Sequence, residues 1–235
     1  MTRVPFLLLP VLILLACSFS LTACGGKQTL PLLTKADSLS EEPASCTSIF
    51  PQGAWQFVHS IDFTLKHGGG STVIGVTSLG PDSLECALVT PEGFTLFSGT
   101  LDRENNFAVT RAVSPFDNPS FALGLLEDLQ AIFRKPVGEL QQGSLSEPPA
   151  PVCRYTTNDE KVTDILSDKN AETCWQVRNY APDKELIRAI AARSCQAAGP
   201  GSGSASIPQQ LELQTSGPTG YTLKMKLISA EHLPN

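Results

Sequence analysis

Cationic side chains are in short supply: 17 Lys and Arg stand against 23 Asp and Glu in 235 residues, a net charge of −6. That balance excludes a nucleic-acid-binding surface, which needs basic groups against phosphate. Histidine is rarer still, with three, and no His, Cys and carboxylate cluster has metal-ligand spacing. No C-x-x-C occurs, which rules out a dithiol redox pair and a C-x-x-C-H haem attachment. No glycine loop leads into a helix as a phosphate cradle. His67-Gly68-Gly69-Gly70 has the look of an esterase oxyanion loop, but the G-x-S-x-G elbow it requires is missing. Gly201-Ser202-Gly203-Ser204-Ala205 puts glycine where the serine belongs. The sequence therefore carries no catalytic, metal or cofactor constellation, and the expectation is a non-enzymatic protein. Charge is sparse at 17%, yet 41% hydrophobic content is too high for a disordered chain.

What is abundant is turn-forming residues. Eighteen glycines and eighteen prolines favour a β-rich fold over a helical bundle. The exception is the N-terminus. Arg3 is the only charge in residues 1–23, and residues 6–15 are apolar apart from Pro10. A charged start before an apolar core is the pattern of a secretory signal peptide. Pro5, Pro10, Ser18, Ser20 and Thr22 shorten it below the roughly 20 apolar residues of a membrane-spanning helix. It ends Leu21-Thr22-Ala23-Cys24-Gly25-Gly26, and the tetrapeptide up to Cys24 resembles the lipobox of bacterial lipoproteins. Leu14-Leu15-Ala16-Cys17 is a competing site, with bulky Leu15 against it, and an uncleaved membrane anchor is the bland alternative. The resemblance implies a lipid on Cys24. With no aspartate after the cysteine, it also implies sorting to the outer membrane. Several acyl chains on one cysteine anchor a protein stably, at about 0.8 kcal/mol per buried methylene. Residues 24–47 then read as the lipidated cysteine and a flexible tether, and residues 48–235 as a single domain.

Within that domain, Trp55, Phe57, His59, Ile61, Phe63 and Leu65 alternate with Gln56, Val58, Ser60, Asp62 and Thr64. This period of two predicts a strand with one apolar face. Turns at 67–70, 80–83, 91–93 and 102–106 separate four further strands over 71–79, 84–90, 94–100 and 107–113, an antiparallel meander. The period then changes. Asp117-Asn118-Pro119 offers a helix N-cap and first turn, and Ala122, Leu125, Leu126, Leu129, Ile132 and Phe133 form a helical stripe. Arg134, Lys135 and Pro136 close it. Residues 143–151 read as a loop, strands resume over 153–157, 162–166 and 172–180, and 186–195 suits either a helix or a strand. A loop over 199–206 precedes a last hairpin, 211–215 and 221–228, leaving His232 in a fraying tail. The expected architecture is one strongly curved, mainly β antiparallel sheet with a helix on its concave apolar face. His59, on that face, is a core or cavity-wall residue.

Once Cys17 is removed and Cys24 carries lipid, Cys46, Cys86, Cys153, Cys174 and Cys195 remain. An exported protein meets an oxidising compartment. Five is odd, so one thiol stays free or pairs with another chain. Cys46–Cys86 and Cys153–Cys174 are candidate bridges among the pairings open to these residues.

At this point the chain resembles the LolA/LolB-like lipoprotein carriers, over residues 53–133 and more weakly over 175–228. The strand at 55–65, the run Ser83-Leu84-Glu85-Cys86-Ala87-Leu88-Val89-Thr90-Pro91-Glu92-Gly93-Phe94-Thr95-Leu96-Phe97 and the helix at 123–133 carry it. The resemblance implies an unclosed β-barrel capped by helix, with an apolar cavity for acyl chains or lipoproteins. Candidate wall residues are Phe57, Ile61, Phe63, Leu125 and Leu129, which alternatively just fill a core. In the outer-membrane acceptor of that group an exposed leucine on an early loop helps release cargo into the membrane. The corresponding loop here is 80–83, flanked by Leu79 and Leu84. The expected partners are the membrane, through the anchor, and acyl chains or lipoproteins. The alternative is an accessory lipoprotein that binds a protein partner through its surface.

Overall fold

A computed structural model describes residues 28–35, 46–146, 149–167, 173–197, 206–217 and 220–233. Cys17, Cys24, the signal segment and most of the 199–206 loop lie outside the described residues. The first meander comprises β2 (Ala54–Leu65), β3 (Gly70–Leu79), β4 (Ser83–Val89), β5 (Thr95–Asp102) and β6 (Phe107–Ala112). The helix α1 (Pro119–Phe133) follows. A second meander holds β7 (Glu139–Ser146), β8 (Pro149–Thr156), β9 (Val162–Ser167), β10 (Thr173–Tyr180), β11 (Leu186–Ala197), β12 (Ser206–Thr215) and β13 (Tyr221–Leu233). A short β1 (Leu33–Lys35) precedes them all.

These strands form one antiparallel sheet of 13, in the order β1-β7-β8-β9-β10-β11-β12-β13-β2-β3-β4-β5-β6. The two meanders join where β13 pairs along the whole of β2, from Tyr221 opposite Leu65 to Leu233 opposite Ala54. β1 and β6 are left as edges, so the sheet curls without closing. The alternation along β2 puts Trp55, Phe57, His59 and Ile61 on the buried concave face. α1 lies in that concavity and buries Ala122, Leu125, Leu126, Leu129, Ile132 and Phe133, the expected stripe. Its N-cap is Asn118, whose side chain accepts hydrogen bonds from the backbone N–H groups of Ser120 (3.0 Å) and Phe121 (3.4 Å). Arg134 falls just past the last turn, with extended backbone, and donates to the Gly80 carbonyl at 3.4 Å.

Several expectations need correction. Within the expected loop 143–151, residues 143–146 and 149–151 are strand, the end of β7 and the start of β8. Only Leu140 and Leu145 are apolar in β7, so pairing with β8 and β1, not local propensity, makes it a strand. Residues 186–197 resolve as a strand because β10 and β12 flank them in register on both sides. His232 is paired, and its ring packs edge-on against Trp55 at 5.1 Å.

The expected tether is in part a strap. Leu30 and Leu186 bond to the carbonyls of Lys184 and Gln28, each at 2.9 Å, and Leu33–Lys35 pairs with β7. Leu33 covers a small outer-face cluster of Leu145, Val152 and Leu166. Arg154 forms a buried two-pronged pair with Asp164, 2.7 Å at each prong, and also donates to the Pro31 carbonyl at 3.0 Å. The neighbouring Cys153 points to the other face, where it is bridged to Cys46. Residues 31 and 46 therefore grip adjacent residues of β8 from opposite faces of the sheet. The second bridge is Cys174–Cys195, and Cys86 is a buried free thiol. Both candidate pairings are corrected: Cys46, in the turn before β2, reaches Cys153 of β8 and leaves Cys86 of β4 free, and β10 and β11 bring Cys174 to Cys195 instead.

Candidate functional site

The space between α1 and the sheet is lined from β2 by Ile61 and Phe63, and from α1 by Leu125 and Leu129. Val73, Gly75 and Thr77 of β3, Cys86 and Leu88 of β4, and Tyr221, Leu223 and Met225 of β13 complete its floor. Its outer end is Ser71, exposed, with half-buried Phe63, Phe116, Phe121 and Tyr221 around it. Those rings touch in a chain, Phe116 to Phe121 at 5.4 Å and Phe63 to Tyr221 at 5.4 Å. A Cβ on Gly75 would lie 2.5 Å from Ile61 Cδ1, so the glycine leaves room for the tip of the Ile61 side chain over the β3 backbone. Four of the five expected wall residues, Ile61, Phe63, Leu125 and Leu129, meet at this one space. Phe57 does not. It stacks on Phe133 at 4.9 Å and lines a smaller gap at the other end of the helix, beside Trp175.

The volume decides what this space is. It measures about 50 Å³. A water needs about 10–15 Å³ on this measure, whereas small-molecule pockets run to about 300–1,000 Å³. In this conformation the slot holds a few water-sized groups and no acyl chain. Admitting a chain requires α1 to move.

One polar assembly opposes that motion. Asp128 lies on the buried side of α1, 0% exposed, between Leu125 and Leu129. Its Oδ1 accepts from Arg188 Nε of β11 at 2.5 Å, and its Oδ2 accepts from the Tyr221 hydroxyl of β13. Burial pushes the Asp128 carboxyl up, against the pull of the Arg188 charge and the Tyr221 hydrogen bond. The same burial, reinforced by Asp128, pushes the Tyr221 hydroxyl up. A helix is thereby latched to two strands through one carboxyl. Sequence reasoning missed this latch, although a carboxylate inside an otherwise apolar helical stripe was its visible signal. The partners, 60 and 93 residues away, had none.

His59 is 2% exposed and packs between Phe57 and Phe133, at 6.2 and 6.0 Å. Burial lowers it to about 4, so it is a neutral core residue, with Nδ1 lacking a hydrogen-bond partner. Cys86 is 4% exposed, and burial pushes its thiol up to about 12, which makes it unreactive while α1 is docked. Leu79 and Leu84 are 5% and 0% exposed and face each other across the β3–β4 ladder. They are core residues, and the turn between them presents Gly80, Pro81 and Asp82, so the expected membrane-contact role of these leucines is corrected. Among the described residues, no group of three or more His, Cys, Asp or Glu is placed to hold a metal ion.

No family model matches the chain, and no curated protein is similar to it in sequence. Its backbone is more informative. It is similar to a LolA-superfamily protein from Nitrosomonas europaea, with a TM-score of 0.52 over 81% of this chain and 91% of that one, at 9% identity. The chain has the LolA-like fold. A Vibrio parahaemolyticus domain assigned to outer-membrane lipoprotein sorting is more distant, at TM-score 0.45 and 10% identity over 76% of this chain and 85% of that one. So is a DUF1329-family protein from Desulfovibrio piger, at 0.44 and 9% over the same shares. The slot beneath α1 lies on the concave side of this unclosed sheet.

Proposed function

We propose that the protein is a non-enzymatic, lipid-anchored carrier of the outer membrane that holds an acyl chain or a lipoprotein's acyl groups beneath α1. Cys24 carries the anchor. The observation that supports this most is a nearly all-apolar slot closed by a helix that a single buried carboxyl latches down. A buried ion pair adds less stability than apolar packing would, which suits a contact that has to open. The magnitudes allow opening. Breaking a buried pair costs about 3–5 kcal/mol. About a dozen methylenes moved out of water return about 10 kcal/mol, at 0.8 kcal/mol each, provided they replace the contacts that Leu125 and Leu129 give up. Ile61, Phe63, Leu125 and Leu129 are the residues that line the opened cavity.

The small volume favours a second reading, an accessory envelope lipoprotein with a dry core and a protein partner on its surface. Solvent extraction of the protein purified from membranes, with mass spectrometry of the extract, separates the two. The carrier reading expects acyl lipid released in a fixed ratio to protein, beyond the lipid bound covalently to Cys24. An empty extract together with a stoichiometric crosslinked partner in intact cells would replace it with the second reading.

A further inference from the structure

One end of the sheet gathers features that the cavity alone does not explain. β2 and β12 finish there, β3, β11 and β13 begin there, and the β4–β5 turn lies level with them. Three large apolar side chains are exposed at this end: Leu65 (41%), Ile187 (40%) and Phe94 (52%), the last with the Arg111 guanidinium over one face at 5.2 Å. The half-buried aromatic ring around Ser71, the opening of the slot, is at the same end. The strap starts here too, with Gln28 and Thr29 bonded to Leu186 and Glu185 at the β10–β11 turn. Cys24 stands four residues before Gln28, a reach of at most about 14 Å. At the opposite end Leu79 and Leu84, beside the β3–β4 turn, are buried, and Phe107, beside the β5–β6 turn, stands alone at 39% exposed.

From this placement we infer that the end bearing Leu65, Phe94 and Ile187 is seated in the bilayer surface, so that the slot opens directly into lipid. The inference rests on the reading that Cys24 carries the anchor. A tether this short holds its own end of the domain against the membrane, and exposed apolar side chains beside an opening are what a lipid interface would cover. Nearby charge does not argue for attraction to anionic headgroups: Lys66, Arg111 and Lys184 are set against Glu92, Asp183 and Glu185. The seating is apolar and insensitive to salt.

The test uses the mature protein in phosphatidylethanolamine–phosphatidylglycerol vesicles whose acyl chains carry bromine, a contact quencher of tryptophan. Trp55 and Trp175 are buried in the core and give a constant background. Phe94→Trp and Ile187→Trp place reporters at the seated end. Asp82→Trp and Ile228→Trp place them at the opposite end and on the outer face. The inference expects loss of emission from the first two alone, unchanged by high salt. Bright reporters at Phe94 and Ile187, or equal quenching at all four positions, overturn it. The intact mass of the protein decides the anchor separately. With acyl groups on Cys24 and no quenching, the orientation fails while the anchor reading stands. With Cys24 unmodified the anchor reading fails, and the same quenching by the unmodified chain upholds or overturns the orientation by itself.

Discussion

Replacing Asp128 by asparagine tests whether α1 is a cover or merely a core element. The substitution keeps the shape of the side chain and one acceptor but leaves the Arg188 charge, itself mostly buried, unopposed. Removing one member of a buried ion pair costs about 3–5 kcal/mol, and the retained acceptor puts this case near the lower end, about 3 kcal/mol. That loss falls on the docking of α1 to β11 and β13. At a tenfold change per 1.4 kcal/mol, the open population rises about a hundredfold. A ligand that binds only the open form then tightens by a similar factor, because its apparent Kd is divided by the fraction open. Two assays read this together: urea denaturation for stability, and titration with a fluorescent fatty acid for binding. Labelling of Cys86 by a thiol reagent reports the opening itself, and its rate should rise in parallel. Adding Arg188→Met to the variant removes the stranded charge and should restore part of the stability. A variant less stable by the stated amount, with unchanged or weaker fatty-acid binding and no faster Cys86 labelling, would refute the latch.

Further outcomes follow from the same structure. His59 is lowered from 6.5 to about 4, so between those values the unfolded chain takes up a proton that the folded chain refuses. Stability should fall by about 3 kcal/mol as the pH drops through that window, and His59→Leu should remove this part of the slope in denaturation at fixed pH values. The Cys46–Cys153 bridge spans 107 residues and Cys174–Cys195 spans 21. On the loop-entropy view, replacing both cysteines of the first by alanine should cost about 5 kcal/mol, against about 3 for the second, and urea midpoints that reverse this order would contradict it. Leu125→Trp should fill the slot at an overpacking cost of about 1–3 kcal/mol and abolish fatty-acid binding while the circular dichroism spectrum stays folded. Retained binding would place the ligand elsewhere.

The first meander and α1 were legible because their signals are local. The alternation from Trp55 to Leu65 and the stripe from Ala122 to Phe133 report burial directly, and turn residues bound each strand. β7 was not legible, since its Gln-Gln-Gly-Ser stretch becomes strand only between two neighbours. The strap was hidden for the same reason: its anchor point is an Arg154–Asp164 pair more than a hundred residues downstream. Disulfide pairing depends on which strands become neighbours, and spacing carries no information about that. The four wall residues that meet beneath α1 share one face of β2 or of α1, which periodicity reveals. Phe57 has the same parity but lies nearer the far end of the helix, a distinction along the strand that parity cannot make. The buried Leu79 and Leu84 show the converse, for a leucine beside a turn is exposed only when its side chain faces away from the core.

The central claim is that an acyl chain lies between α1 and the concave sheet. A fatty acid carrying a diazirine on its chain, irradiated with the protein and mapped by peptide mass spectrometry, addresses this directly. The account predicts crosslinks within Ile61, Phe63, Leu125, Leu129 and their neighbours, lost on Leu125→Trp and strengthened on Asp128→Asn. Crosslinks confined to the outer face of the sheet, or unaffected by either substitution, would contradict it.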